Sequence, residues 1–299
     1  MPLAIAVTAP SGPDVTEQRD SRGDKPTEGV AVTAAALADP GRWSDLGVRM
    51  VSGAAMALLG ALAVMMGGLW FQMLTVFVTA VMVWELWMMI EPGKPTPGML
   101  LAALCASVLS GQLSHGDNWV LLLFLVAPIA GALMLRRERA TFLAFALGIE
   151  IAGWGLVTFR AEYGFQWLLW LILVVICTDV FGYVAGRALG GPKFWPKVSP
   201  KKTWSGTSAG WVSAGVVGLA FVMLADSPWH LVWISMLLSF ASQMGDIAES
   251  ALKRRMKVKD SSTLIPGHGG LFDRFDAMLG ASLFMLAASA LGFIPGVHF

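Results

Sequence analysis

Residues 171–187 read LILVVICTDVFGYVAGR, and this stretch decides the fold class. Seven apolar residues precede Thr178-Asp179, and apolar residues continue to Arg187. A helix apolar on every side is buried in a large core or in lipid. Similar stretches recur from Met50 onward, each near the ~20 residues that cross a bilayer. The expected spans are 50–67, 69–90, 98–114, 118–135, 141–159, 166–186, 208–226, 229–249 and 277–296, with the first two parted at Gly67-Gly68. Composition agrees. Of 299 residues 56% are hydrophobic and 14% charged, against roughly 25% charged in a soluble domain. Thirteen Trp, 16 Phe and 17 Met suit a lipid-facing surface with aromatic anchors. The reading is an all-α, polytopic membrane protein with about nine transmembrane helices.

Charge sets the sides. With nine spans, 20 of the 21 Lys and Arg fall on one side, leaving Arg160 opposite. The positive-inside rule puts that basic side in the cytoplasm, with the N terminus and the loops 187–207 and 250–276. Residues 1–45, mixed in Pro, Thr, Asp, Arg and Gly, read as a disordered or loosely folded cytoplasmic tail. Residues 46–165 form the N-terminal membrane helices, and 166–299 the region that carries the chemistry. Cys105 and Cys177 lie in apolar runs and read as packing residues, without a disulfide framework or zinc pattern. Gly182, Gly186 and Gly190, at i, i+4 and i+8, read as a close helix-packing stripe.

Ionisable groups inside a span are costly and mark functional sites by default. Asp179 stacks with Tyr183 and Arg187 on one helical stripe. Its plainer reading is a structural carboxylate neutralised by Arg187 or by a neighbouring helix. Glu85 reads equally as a structural hydrogen-bonding group or as support beside a site. Asp246, Glu249, Ser250, Lys253 and Lys257 recur at i, i+3, i+4, i+7 and i+11, one polar face of a helix leaving the membrane. Residues 261–278 then read SSTLIPGHGGLFDRFDAM, a turn and Gly-rich segment that lets backbone approach a ligand, followed by Asp273 and Asp276 at i, i+3. Asp at a helix start is often only a dipole choice. Here the pair shares the membrane boundary with Asp246, Lys253 and Asp179, and carboxylates gathered with cations suit a divalent ion holding phosphates. The basic loop 187–207 contains no GxxxxGK[ST], which excludes a P-loop NTPase on motif grounds.

The run from Ser250 to Asp276, SALKRRMKVKDSSTLIPGHGGLFDRFD, resembles the signature of the phosphatidate cytidylyltransferases, the CDP-diacylglycerol synthases. The matching positions are Ser250, Lys253, Arg254, Lys259, Asp260, Pro266, Gly267, His268, Gly269, Gly270, Asp273, Arg274 and Asp276. Gln243 to Ser250, the Asp179 stripe and Ser199-Pro-Lys-Lys-Thr203 resemble family segments in the same order. Ser205 stands where the family typically has Glu, and Ala277 where Ser is common.

The resemblance implies an Mg²⁺-dependent transfer of the cytidylyl group of CTP to phosphatidic acid. It implies Asp246 and Asp273 on the metal, with Asp179 and Asp276 as further ligands or their support. Lys201, Lys202, Lys253, Arg254, Lys259 and Arg274 would bind phosphates, and His268 would contact the nucleotide or leaving group. Thr203, Ser250, Asp260, Gly269 and Gly270 complete the substrate contacts, with Asp246, Asp273, Lys253 and His268 at the catalytic centre. The implied setting is the cell membrane, with CTP and membrane lipid as partners, no nucleic acid, and a homodimer. The rivals are a CTP-dependent polyprenol or phytol kinase, a synthase acting on ether-lipid acceptors, and a non-catalytic lipid-binding protein or transporter.

Overall fold

The computed structural model of the protein describes residues 40–115, 118–225 and 227–293, with side chains from 48 onward except 49, 115 and 118–120. The chain divides into two units, Met1–Ser44 and Asp45–Phe299, and the second holds the helix bundle and its cavities. The expected tail lies outside the described residues as far as 39. The helices are α1 (Pro40–Met66), α2 (Gly68–Ile90), α3 (Pro95–His115), a 3-10 turn (Asn118–Leu125) running into α4 (Val126–Met134), α5 (Arg139–Leu189), α6 (Trp204–Leu224), α7 (His230–Met256) and α8 (Phe272–Ala290).

Each expected apolar segment falls mostly on helix: 141–159 and 166–186 share α5, 118–135 is divided between the 3-10 turn and α4, and 277–296 leaves α8 at Ala290. Among the described residues, five helices (α2, α3, α5, α6 and α7) are long and apolar enough to cross a membrane. At 1.5 Å per residue, the 51 residues of α5 would reach about 75 Å if straight. Gly164 interrupts it with φ 86° and ψ −179°, a conformation that a side chain disfavours, so α5 is two span-length helices joined at one residue.

The interior is built where helices cross. Trp167, Trp170, Leu171 and Val174 of α5 pack on Leu231, Ile234 and Leu238 of α7 and on Ala281 and Met285 of α8. A second cluster joins Met82, Leu86 and Trp87 of α2 with Leu101 and Cys105 of α3, Phe142 and Ile149 of α5, and Leu252 and Phe272. Both cysteines are free. Some polar atoms in these layers are paired between helices, as in Trp170 Nε1 donating to Ser235 Oγ (3.0 Å) and Thr178 Oγ1 to Ser239 Oγ (2.7 Å). Large apolar side chains face outward instead, among them Leu58, Leu69, Phe77, Val212, Val216, Met223 and Trp233. Such a surface is stable against lipid, not water.

The basic loop holds a small element that hydropathy does not reveal. Strands β1 (Lys193–Trp195) and β2 (Ser199–Thr203) form an antiparallel hairpin with Lys193 opposite Thr203. Gly182 and Gly186 pack against the backbone of Gly206 on α6, as the glycine stripe predicts. Gly190 does not continue that contact. It ends α5 at φ +63°, and a side chain there would meet open space.

Candidate active site

Three elements meet at the end of the bundle that carries the basic loops: the last turns of α5, the β hairpin with the start of α6, and the polar half of α7. Thr203 caps α6 by accepting from the Gly206 N–H (3.2 Å), which fixes where β2 stops and the helix begins. The Ser205 hydroxyl, standing where an acid was expected, donates to the Gly190 carbonyl and closes the loop at its base. Between these elements lies a cavity of about 510 Å³, lined by Asp179, Tyr183, Arg187, Lys201, Lys202, Gln243 and Asp246 among others. Arg187 donates to the Tyr183 hydroxyl (2.8 Å). The Asp179 stripe therefore forms one wall, and on it Arg187 is partnered by Tyr183.

Asp246 belongs both to this cavity and to an acidic cluster beside it. One of its oxygens faces Lys202 Nζ at 2.5 Å, and the other accepts from Ser250 Oγ at 3.3 Å. Carboxylate oxygens of Asp246, Glu249 and Asp276 all lie within 4.8 Å of one another. What brings Asp276 there is backbone contact between α7 and α8. Gly245 abuts the Asp276 carbonyl, and Gly280 abuts the Ala241 carbonyl, so a methyl at either place would separate the helices. Glu249 is 1% exposed and faces the Lys253 ammonium, with neither carboxylate oxygen in a well-formed hydrogen bond. Three carboxylates this close repel one another. They gain from a cation among them, and hard oxygen donors fit Mg²⁺ or a similar ion.

Asp273 behaves differently. Its Oδ1 accepts from Lys253 Nζ (2.7 Å), and its Oδ2 accepts from the Ser261 N–H (2.8 Å), Ser261 Oγ (2.8 Å) and the Gly270 N–H (2.9 Å). Burial opposes its charged form, but the Lys253 ammonium, the Gly270 N–H and the Ser261 N–H outweigh that and hold the carboxyl at about 2. The i, i+3 spacing groups Asp273 with Asp276. The geometry groups Asp276 with Asp246 and Glu249, and commits Asp273 to the loop. Gly269 (φ +80°) and Gly270 let that loop pass between Asp273 and Glu85, where a Cβ at position 270 would collide with both Ser261 Oγ and Glu85 Oε1.

Glu85 resolves the two readings left open for it. Fully buried near the end of α2, it accepts from Ser261 Oγ (3.2 Å), Ser262 Oγ (2.6 Å), the Leu271 N–H (3.0 Å) and the Phe272 N–H (2.7 Å). It caps the start of α8 and pins the loop from the N-terminal half of the chain. His268 rests against Ser52 of α1, its Nδ1 2.9 Å from the Ser52 hydroxyl, and its carbonyl accepts from Arg274 (Nε, 2.9 Å). Arg254, Lys259 and Asp260 are exposed at the end of α7, outside the cavity lining. Glu249, Ser261 and Ser262 were absent from the sequence-derived site. Only Glu249 carried a signal, its place on the α7 polar stripe.

The sequence pattern of the cytidylyltransferase family matches residues 47–291. The chain belongs to that family. A phosphatidate cytidylyltransferase of Brucella abortus biovar 1 (strain 9-941) is 32% identical over 262 residues, covering 85% of this chain and 97% of its own. One from Staphylococcus aureus (strain COL) is 34% identical over 198 residues, covering 61% and 75%. In this cytidylyltransferase-family chain a cavity lined by Arg187, Lys201 and Lys202 lies at one end of helices apolar enough to span a membrane.

Proposed function

We infer that this chain is a phosphatidate cytidylyltransferase, converting CTP and phosphatidic acid into CDP-diacylglycerol and pyrophosphate. The observation that carries this is the cavity lined by Lys201, Lys202 and Arg187 and flanked by the Asp246–Glu249–Asp276 cluster, in a chain matched along 85% of its length by a relative of that name. In the reaction a phosphatidate oxygen attacks the α-phosphorus of CTP. A new P–O bond forms as the bond to the β-phosphate oxygen breaks, and pyrophosphate leaves. The attacking oxygen is already anionic, so no side-chain nucleophile is needed. The difficulty is bringing two anions together, which cationic side chains and positioning relieve.

Lys202, held against Asp246, and Lys201 at the cavity mouth bind phosphate oxygens. Arg187 holds Tyr183 on the opposite wall. Lys253, set between Glu249 and Asp273, ties the acidic cluster to the loop 261–271. We place Mg²⁺ on Asp246, Glu249 and Asp276, with Asp179 facing them across the cavity. Bound there, the ion would offset phosphate charge and align the triphosphate. Asp273, expected on the metal, serves in this proposal to hold Lys253 and the loop. Arg274, donating to the His268 carbonyl, braces the loop 261–271, and the exposed Arg254 and Lys259 draw CTP toward the cavity.

The chain crosses the cell membrane nine times in this reading. The two halves of α5 each count once, and α1, the 3-10 turn with α4, and α8 complete the set. The single-sided basic residues support a cytoplasmic N terminus and place the cavity where soluble CTP meets a lipid that stays in the bilayer. A homodimer remains part of the proposal, to be checked by cross-linking in membranes. Purified protein given labelled CTP, phosphatidic acid and Mg²⁺ should yield CDP-diacylglycerol and pyrophosphate. Formation of CDP with a phosphorylated lipid would make it a kinase instead.

A further inference from the structure

A second cavity, of about 530 Å³, lies at the other end of the bundle. Gly68, at the start of α2, lines it and stands 17 residues before Glu85, about 25 Å along the helix axis. Nothing in the cytidylyl-transfer chemistry uses this cavity, yet it holds two buried donors with no partner. Gln112 of α3 is 4% exposed, and its Nε2 has no acceptor. Arg160, near the end of the first half of α5, likewise has a buried Nε without an acceptor. The Arg160 guanidinium lies over the Phe165 ring, 5.6 Å from its centre, and packs so tightly on Gly67 (φ +62°) that a Cβ there would come within 2.9 Å of it. The half-buried guanidinium is thus held against Gly67 and Phe165 while its Nε stays buried.

Buried donors without acceptors are costly and call for a ligand oxygen. The start of α2 adds uncapped N–H groups at the same wall, since Gly67 offers no side-chain cap. The other walls are mostly apolar, with Phe71, Leu113, Leu121, Trp154 and Val157 beside Gln72 and Thr158, and Leu69 and Trp70, next to Gly68 on α2, are exposed. A small soluble anion would leave those walls unused. Glu162, exposed at the rim, is the acid in the lining and suits a ligand carrying an amine beside its phosphate.

We propose that this cavity is a phospholipid site, binding the head group of an amine-bearing phospholipid with its phosphate on Arg160 and Gln112. The lipid would fasten the α1–α2 junction to the break in α5, on the face away from catalysis. Native mass spectrometry of the whole protein, delipidated and then given phosphatidylethanolamine, tests it. Wild type should keep one lipid through activation. Arg160→Ala and Gln112→Leu should each lower that occupancy at least about tenfold, the scale of one strong hydrogen bond to a charged group, while turnover with CTP and phosphatidic acid stays within twofold. Independently of any variant, phosphatidylethanolamine should raise the melting temperature of delipidated wild type, and inorganic phosphate should not. Equal lipid retention by wild type and both variants would overturn the proposal. So would stabilisation by inorganic phosphate alone, or a wild-type melting temperature unmoved by the lipid.

Discussion

Replacing Glu85 tests how the site is built, because this side chain lies far from the reacting groups in sequence yet holds their loop. In Glu85→Gln one carboxylate oxygen becomes an NH₂. The best placement keeps the amide oxygen toward the Phe272 N–H and Ser261, and turns the nitrogen toward Ser262, whose hydroxyl can rotate to accept. The Leu271 N–H, now 3.0 Å from an oxygen, would then face a donor. One orphaned backbone N–H costs about 1–3 kcal/mol. Glu85→Ala orphans both the Leu271 and Phe272 N–H groups and opens a cavity, for a cost of about 3–6 kcal/mol. Urea unfolding in detergent should resolve the two steps. Steady-state assays should show kcat falling more than the KM for CTP rises, since the loop orients Lys253 through Asp273 without itself lining the nucleotide cavity. Wild-type stability and turnover in Glu85→Ala would refute this account of the loop.

Other consequences are as direct. Lys202, paired with Asp246 at 2.5 Å, should on change to alanine raise the KM for CTP or lower kcat severalfold or more; exposed Lys193 on the hairpin should tolerate alanine, as single surface charges contribute little. Asp273 is held at about 2, below the ~3.9 of an unfolded chain, so its stabilising effect is complete above that unfolded value and is lost as pH falls toward 2. The gap in melting temperature between wild type and Asp273→Asn should therefore be constant from pH 7 to about 5 and narrow below about 4; a gap that widens on acidification contradicts the assignment. Cysteines placed at Lys197 and Lys257, with Cys105 and Cys177 removed, should resist an impermeant thiol reagent in intact cells, whereas one at Ala161 should react; labelling at Lys197 would break the nine-span topology.

Much of the architecture is legible in the sequence because lipid imposes a simple rule: long apolar runs become helices. That is why 98–114 and 208–226 fall on α3 and α6. Hydropathy does not show that 141–159 and 166–186 are joined through a single residue, since only the backbone at Gly164 marks the break. At the site, the α7 stripe is readable because helical periodicity puts Asp246, Glu249 and Ser250 on one face. Which acids converge is not readable from spacing. Asp276 reaches Asp246 through the Gly245–Gly280 contact between two helices, and Asp273 is drawn away by Ser261 and Gly270. Glu85 is 176 residues from Ser261, and no local pattern links a carboxylate in α2 to a loop that far along.

The central claim, cytidylyl transfer at a divalent-ion site centred on Asp246, is tested most directly by Asp246→Asn. The amide preserves size and can still accept from Ser250, so the protein should insert and fold as wild type. It loses the charge that faces Lys202 and that would hold the ion. CDP-diacylglycerol formation, measured with labelled CTP across a range of Mg²⁺, should fall at least about a hundredfold, the scale of removing one key electrostatic group. Higher Mg²⁺ or added Mn²⁺ should restore part of it. Near-wild-type turnover at limiting Mg²⁺, in protein shown to be folded, would contradict the account.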